Sequence, residues 1–116
     1  MLSLSSSLHY FLYSQPTDMR KSFDGLSGLV SSKMGRNPTS GEVFIFIGTR
    51  KDAIKLLHWE SGGFVLYYKR LEKGTFELSQ TTTEGDSLSI SWPSLVLLIE
   101  GIRVEKYRQN TRYKAL

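Results

Sequence analysis

Residues 41–76 read GEVFIFIGTRKDAIKLLHWESGGFVLYYKRLEKGTF, and they carry most of the information in this chain. Aliphatic and aromatic residues form runs of strand length, and glycine-containing turns separate those runs. Basic side chains lie between the aliphatic ones along the whole stretch. The pattern indicates a basic, aromatic-bearing sheet rather than a catalytic pocket.

Three runs within this stretch are predicted as strands. Residues 43–47 are apolar at every position, which is typical of a central strand with both faces covered. Residues 54–59 and 64–70 have the length and composition of two further strands. Gly62 and Gly63 lie between them and allow the positive φ angles of a tight turn, so we expect an antiparallel hairpin.

Both faces of the predicted hairpin mix apolar with polar residues. Because side chains alternate along a strand, a turn centred on Gly62-Gly63 gives one face the residues Lys55, Leu57, Trp59, Phe64, Leu66, Tyr68 and Arg70. The other face carries Ile54, Leu56, His58, Val65, Tyr67 and Lys69. Neither face is purely apolar, so the pattern leaves open which of them meets the core.

A short strand and a helix are expected before this stretch. Aromatic-rich residues 9–13 predict a first strand, which ends before Pro16 because proline cannot donate to a β-ladder. The helix has Thr17 or Asp18 as its expected N-cap and Gly35 at its expected end. Its apolar residues recur every three or four positions and are Met19, Phe23, Leu26, Val30 and Met34. We expect this stripe to dock on the sheet.

The C-terminal part predicts a turn, a loop and a second helix. Lys73-Gly74 turns the chain into residues 75–78, and the polar residues 79–87 are expected to form an exposed, mobile loop. Ser91-Trp92-Pro93 has the composition of a helix start, and Gly101 that of a helix end. The residues of this helix that are expected to be buried are Leu95, Val96, Leu98 and Ile99.

Together these elements predict one α+β domain spanning residues 1–116. Its sheet, mainly antiparallel and of about five strands, packs against one longer helix and a short C-terminal helix. With 40% apolar residues, the chain can supply one such core.

The longest aliphatic run, residues 95–99, is far shorter than the roughly 20 apolar residues that span a bilayer. Residues 1–14 lack the basic start of a signal peptide.

Charge and cysteine content narrow the classes of function. Lys and Arg total 15 against 11 Asp and Glu, and the resulting net charge of +4 suits polyanions or acidic proteins. The absence of Cys excludes disulfides, thiol nucleophiles and cysteine-ligated zinc, and it fits a reducing compartment. We therefore expect a cytoplasmic protein without a membrane partner.

No catalytic, metal-binding or cofactor-binding motif is recognisable in the sequence. His9 and His58 are far apart, and neither lies in a metal-ligand spacing. The carboxylates are scattered, which favours surface and capping roles. The glycines at 62 and 63 belong to a turn, and no phosphate-binding G-x-x-x-x-G-K motif is present. The sequence therefore predicts no catalytic residue, no metal and no cofactor.

A binding surface is the remaining candidate site. Its basic residues are expected in two groups, with Arg50, Lys51 and Lys55 around one turn and Lys69, Arg70 and Lys73 at the other end of the hairpin. A basic tail, residues 103–114, follows. Lys and Arg neutralise phosphates, and aromatic rings such as Trp59, Tyr67 and Tyr68 stack on exposed bases. The structural alternative is that the rings belong to the core and the charges to an ordinary solvated rim.

Four ordered motifs resemble one known family. They are DMRKSFDGL at 18–26, GEVFIF at 41–46, IKLLHW at 54–59 and GFVLYYKRLEKG at 63–74. Over roughly residues 13–76 the chain resembles the TnpB-type, second-open-reading-frame protein of the insertion-sequence-sixty-six transposons. The resemblance implies a small bacterial protein that is encoded beside a larger transposase and is needed for transposition, without a resolved biochemical role.

Two hypotheses follow from the motifs and the resemblance. In the first, a non-catalytic accessory protein binds transposon DNA through the hairpin and through Arg20 and Lys21, near the positive N-terminus of the first helix. Its partners would be the transposase and a sister accessory protein. In the second, the chain is an adaptor for those proteins without DNA contact, and Trp59, Tyr67 and Tyr68 anchor the interface. A third possibility, an enzyme, would need clustered carboxylates or a nucleophile with a base, and the sequence predicts neither.

Overall fold

A five-stranded sheet between two helices makes up the computed structural model, which describes residues 4–77 and 85–101. The elements in chain order are β1 (Tyr10–Tyr13), α1 (Phe23–Ser32), β2 (Val43–Ile47), β3 (Ala53–Glu60), β4 (Gly63–Arg70), β5 (Ser87–Ile90) and α2 (Trp92–Ile99). The strand order across the sheet is β4-β3-β2-β1-β5. Only the β1–β2 pair is parallel among these strands. The predicted α+β class is confirmed.

Each face of the sheet is covered by one helix, so the core has two layers. On one face, Phe44 and Phe46 of β2 pack with Leu26 and Val30 of α1. On the other face, the core includes Ile45 of β2 and the buried α2 residues Leu95 and Leu98. This arrangement explains why β2 is apolar at every position, and it answers the question that the hairpin pattern left open. Both faces of the sheet meet a core.

The β3–β4 hairpin is present, but its turn lies one residue earlier than predicted. Ser61 and Gly62 have φ angles of 52° and 82°, and Glu60 pairs directly with Gly63. Positive φ at both central residues is the geometry that matches the twist of a two-residue hairpin. The earlier turn moves each cross-strand partner by an even number of residues, so every side chain keeps its predicted face. Lys55, for example, lies opposite Tyr68.

Alanine substitutions distinguish the two possible turn centres. Gly62→Ala is expected to lower the free energy of unfolding by about 1 kcal/mol, because an L side chain is strained at a positive φ. Gly63→Ala is the matched control: Gly63 lies in β4 and a Cβ there meets no atom within 4 Å. The stability of the Gly63→Ala variant should be unchanged or slightly raised. Urea denaturation measures both, and a larger loss for Gly63→Ala would contradict this turn geometry.

Helix α1 begins later than the sequence suggested. Its first residue is Phe23 and its N-cap position is Ser22, which makes no side-chain capping hydrogen bond. Asp18 instead accepts a hydrogen bond from the backbone N–H of Arg20 at 2.9 Å, so it organises a turn before the helix. The prediction of Thr17 or Asp18 as the N-cap is therefore wrong, and Met19 lies outside the helix.

The apolar stripe of α1 is correct in its middle and wrong at its start. Leu26 and Val30 are buried, as is Met34 just beyond the helix. Phe23, by contrast, is 43% exposed. Gly35 adopts a φ of 67°, and the N–H of Arg36 donates to the carbonyl of Val30 at 3.0 Å. This closing geometry, with a left-handed glycine after the last turn, is the one expected of a helix C-terminus.

The C-terminal elements were predicted in part. Strand β5 was missed: it begins at Ser87, where a loop was expected, and it pairs antiparallel with β1. Some of the predictions lie outside the described residues: residue 78, residues 79–84 of the predicted loop and the tail at 103–114. Helix α2 is confirmed, with Ser91 accepting a hydrogen bond from the N–H of Ser94 at 3.2 Å. Val96 is 39% exposed, so its predicted burial is wrong.

Candidate nucleic-acid interface

The antiparallel hairpin brings the two predicted basic groups to one end of the sheet. Ala53, the first residue of β3, pairs with Arg70, the last residue of β4. The following chain stays close, because the N–H of Phe76 donates to the carbonyl of Lys51 at 2.6 Å. Arg50 and Lys51 therefore lie at the same end as residues 70–73, and the predicted separation of the two groups is wrong.

Residues 17–21 reach the same end of the sheet. The N–H of Thr17 donates to the carbonyl of Ile47 at 2.9 Å, and Thr17 forms an isolated parallel bridge with Gly48. A Cβ on Gly48 would lie 2.7 Å from Cγ of Met19, so glycine permits this close approach. We call this end of the sheet the basic end. Its exposed cations are Arg20, Lys21, Arg50, Lys51, Arg70 and Lys73.

Lys55 lies beneath the 17–21 segment and attaches this segment to the sheet by hydrogen bonds. Its side chain is only 6% exposed, and its Nζ donates to the carbonyls of Met19 at 2.8 Å and Lys21 at 2.7 Å. The same Nζ lies 4.7 Å from the centroid of the Tyr68 ring. An ammonium with these partners is satisfied within the protein. Lys55 belongs to the first predicted basic group, and this buried position gives it a structural role rather than a place on the exposed surface.

Lys69 also has a partner within the fold. It projects on the opposite face of β4, where its Nζ donates to the carbonyl of Ile99 at 2.9 Å. Ile99 is the last residue of α2, and a cation there compensates unpaired carbonyls and the negative end of the helix dipole. Lys69 therefore lies apart from the basic end.

The predicted interface aromatics do not form one surface. Trp59 lies near the hairpin turn, in an edge-to-face contact with Phe64 at 4.9 Å between ring centroids. Tyr67 is on the α2 face, packed against the core, where burial and then Glu100 raise its pKa. Tyr68 is 53% exposed and on the α1 face. Sequence reasoning placed Phe23 in the core and so missed it as a second exposed aromatic residue.

An open groove of about 530 Å³ lies at the basic end. The residues along it that bear on binding are Asp18, Thr49, Arg50, Asp52, Tyr68 and Arg70. They come from the 17–21 segment, the β2–β3 turn and the last residues of β4. The groove therefore combines one exposed aromatic ring, two guanidinium groups and two carboxylates.

Asp18 and Arg20 form an exposed ion pair beside the groove. The guanidinium of Arg20 approaches Asp18 to 2.8 Å, and hydrogen bonds from Arg20 lower the pKa of that carboxyl to about 2. Asp18 is therefore ionised at neutral pH and offsets part of the local positive charge. The side chain of Arg20 is 91% exposed, so its charge still faces solvent.

A second ion pair, missed by sequence reasoning, joins the end of α1 to the start of β2. Arg36 donates two hydrogen bonds to Glu42, at 3.1 and 3.0 Å, and its Cζ lies 3.6 Å from the centroid of the Phe11 ring. These hydrogen bonds lower the pKa of Glu42. The spacing of an Arg just after a helix and a Glu just before a strand was the available signal.

Removal of the Glu42 charge should make stability less dependent on pH. Because the pKa of Glu42 is lower in the folded protein, the ionised carboxylate stabilises the fold fully above its unfolded pKa of about 4.3, and this stabilisation is lost as pH falls through the folded pKa. Glu42→Gln should cost about 1 kcal/mol at neutral pH and progressively less in acid. Urea unfolding across this range measures the difference, and a constant difference would contradict the ionic role of Glu42.

Within residues 4–77 and 85–101, no group of three or more His, Asp or Glu side chains could hold a metal ion. His58 is buried, with Nε2 3.1 Å from the carbonyl of Gly41, so it is part of the sheet structure. No helix in the described part of the chain is long and apolar enough to cross a membrane.

The fold and the described surface define a small α+β protein with a basic groove at one end of its sheet. The chain belongs to the IS66 Orf2-like family, whose model matches residues 8–109 and thus extends beyond the four motifs. Proteins of this family are accessory proteins of IS66 insertion sequences and are not a known catalytic family. The predicted family and its association with transposition are confirmed.

Two curated relatives from Sinorhizobium fredii match nearly the whole chain. Uncharacterized protein y4jC is 31% identical over 102 residues, which cover 88% of this chain and 86% of y4jC. Uncharacterized protein y4hO is 30% identical over 102 residues, with coverage of 88% and 87%. No solved structure matches this chain.

Proposed function

We propose that this transposition accessory protein binds the DNA of its insertion sequence through the basic end. The observation that carries the proposal is the convergence of three separate chain segments, each with exposed cations, on one end of the sheet. A single basic segment is common on protein surfaces. Three that meet, with six exposed cations against the carboxylates of Asp18, Asp52 and Glu72, provide a net positive surface that attracts a phosphate backbone.

The start of α1 supports the same surface. Lys21 precedes the first helical residue, Phe23, by one position, and the Ser22 side chain does not cap the helix. Free N–H groups at a helix N-terminus and the positive end of its dipole both attract phosphate oxygens. Arg20 and Lys21 would therefore contact the backbone together with the helix terminus, as the sequence suggested.

The proposal assigns no catalytic step to this chain. Strand cleavage and joining would belong to the transposase, which we propose as a partner together with a sister accessory protein of the same element. The site of action would be the cytoplasm, where bacterial DNA lies. Binding at the basic end leaves the α2 face and the hairpin turn accessible to such partners.

An adaptor function without DNA contact is the second candidate, and two exposed aromatic residues favour it. Phe23 is 43% exposed and Tyr68 is 53% exposed. Exposed aromatic side chains are common anchors of protein interfaces. The adaptor would bind the transposase with an affinity that is insensitive to the charges of the basic end, and it would bind DNA weakly or not at all when alone.

Fluorescence anisotropy with labelled duplexes tests the proposal. One duplex carries the end of the insertion sequence and the other a scrambled sequence of the same length, and both are titrated over a salt series. We expect binding that weakens steeply as salt increases, because cations at the basic end displace counterions from the phosphates. Preference for the end duplex would add sequence recognition. Absence of binding to both duplexes at low salt would refute DNA binding and favour the adaptor.

A further inference from the structure

We propose that the groove at the basic end accepts an unpaired nucleobase of DNA, with the base on the Tyr68 ring and its phosphate at Arg50 and Arg70. The inference rests on the proposed function and specifies the form of DNA that the site prefers. It concerns a region of about 530 Å³, within the size range of small-molecule sites.

The position of Tyr68 provides the stacking surface. Lys55 Nζ lies 4.7 Å from the ring centroid, yet the residue remains 53% exposed and lines the groove. An exposed ring packed on a fixed, buried cation has little freedom to move, so stacking costs little conformational entropy. Base stacking on such a ring is tolerant of sequence, because every base has a π-face.

The charged side chains that line the groove indicate where a phosphate would bind and where a base would bind. Arg50 and Arg70 are exposed and suit a phosphate, whereas the carboxylates of Asp18 and Asp52 would repel one. A carboxylate can accept a hydrogen bond from the exocyclic amine of a base. Mixed charge around one ring thus fits a nucleotide better than it fits a bare phosphate backbone.

Duplex DNA cannot use this ring in the same way. Paired bases are stacked on their neighbours and offer only their edges, so a side chain reaches a base face only when the base is unpaired or extruded. The groove therefore favours single-stranded DNA, an overhang or a locally opened duplex. The outer cations of the basic end would still bind the backbone of a blunt duplex.

Anisotropy with three DNAs of equal phosphate number tests the inference: a blunt duplex, a duplex with a single-stranded overhang of about five nucleotides, and the same overhang made of abasic nucleotides. The overhang should bind roughly fivefold or more tightly than the blunt duplex, and the abasic overhang should lose that advantage. Tyr68→Ala should abolish the preference while blunt-duplex binding stays within about twofold, and Tyr68→Phe should retain it. Val96→Ala, which truncates an exposed apolar side chain on α2 outside the groove lining, is the control and should behave like the unmodified protein.

Failure of this inference is distinguishable from failure of the proposed function. Equal affinity for all three DNAs, or an unchanged preference in Tyr68→Ala, would overturn the nucleobase site while leaving backbone binding intact. Absence of binding to every DNA at low salt would overturn both. Circular dichroism spectra of the variants should be unchanged, because Tyr68 lies at the exposed edge strand of the sheet.

Discussion

Lys55→Met is expected to lower the free energy of unfolding by about 3 kcal/mol. The substitution keeps most of the side-chain volume but removes the ammonium that bonds to the carbonyls of Met19 and Lys21. Hydrogen bonds that involve a charged group contribute roughly 1.5–3 kcal/mol each, and carbonyls left without a donor add a desolvation cost. Urea denaturation monitored by Trp fluorescence measures the loss.

The loss should be concentrated where Lys55 acts. Hydrogen exchange of the 17–21 segment should accelerate more than that of β2, since the segment loses its attachment to the sheet. Lys33→Met is the matched control, because Lys33 is exposed at the end of α1. It should change stability by less than about 0.5 kcal/mol. Equal effects of the two substitutions would contradict the structural role of Lys55.

Reversal of two charges at the basic end should weaken DNA binding by roughly 100-fold at low salt. Arg50→Glu combined with Arg70→Glu replaces two cations by two anions on neighbouring segments, and each change both removes a phosphate contact and adds repulsion. The slope of log affinity against log salt should also become less steep, because fewer counterions are displaced. Anisotropy over a salt series provides both quantities.

Two controls make the charge-reversal result specific. Lys33→Glu changes an exposed cation at the opposite end of α1 from Lys21, and it should alter affinity by no more than about twofold. The stability of the double variant should stay within about 0.5 kcal/mol of the unmodified protein, because both arginines are exposed. Undiminished DNA binding in the double variant would remove the basic end as the DNA-binding surface.

The sequence predicted the sheet well where the pattern is local. Residues 43–47 are apolar throughout and form the central strand, and the glycine-containing turn predicts the hairpin. The exact turn was missed because a run of two glycines allows either centre, while Ser61 tolerates its positive φ. Strand β5 was missed because its alternation is short and consists of only Leu88 and Ile90 between serines.

The parallel pairing of β1 with β2 depends on a longer connection. A strand, a helix and a strand in succession are the elements of a crossover, so the order of the predicted elements already contained this signal. The start of α1 was missed for a different reason. Asp18 has the composition of an N-cap, but the same side chain can close a turn with Arg20, and propensity alone does not separate the two.

The candidate site was the least predictable part, because it depends on contacts between distant segments. Lys55 looked like a surface cation in a strand, although a basic residue in an apolar run is also the signal for a buried partner. Its bonds to Met19 and Lys21 link residues far apart in sequence, which no periodicity reveals. All six cations of the basic end were nevertheless in the predicted set. Two other members of that set, Lys55 and Lys69, are bound to carbonyls within the fold instead.

Amide chemical-shift mapping during titration with a duplex of the insertion-sequence end would locate the DNA-binding surface residue by residue. The largest changes should fall on residues 18–21, 49–51 and 70–73, which are distant in sequence and adjacent in the fold. Residues at the hairpin turn, such as Trp59 and Gly62, should change little. Changes centred on the hairpin turn, or no change at saturating duplex, would contradict DNA binding at the basic end.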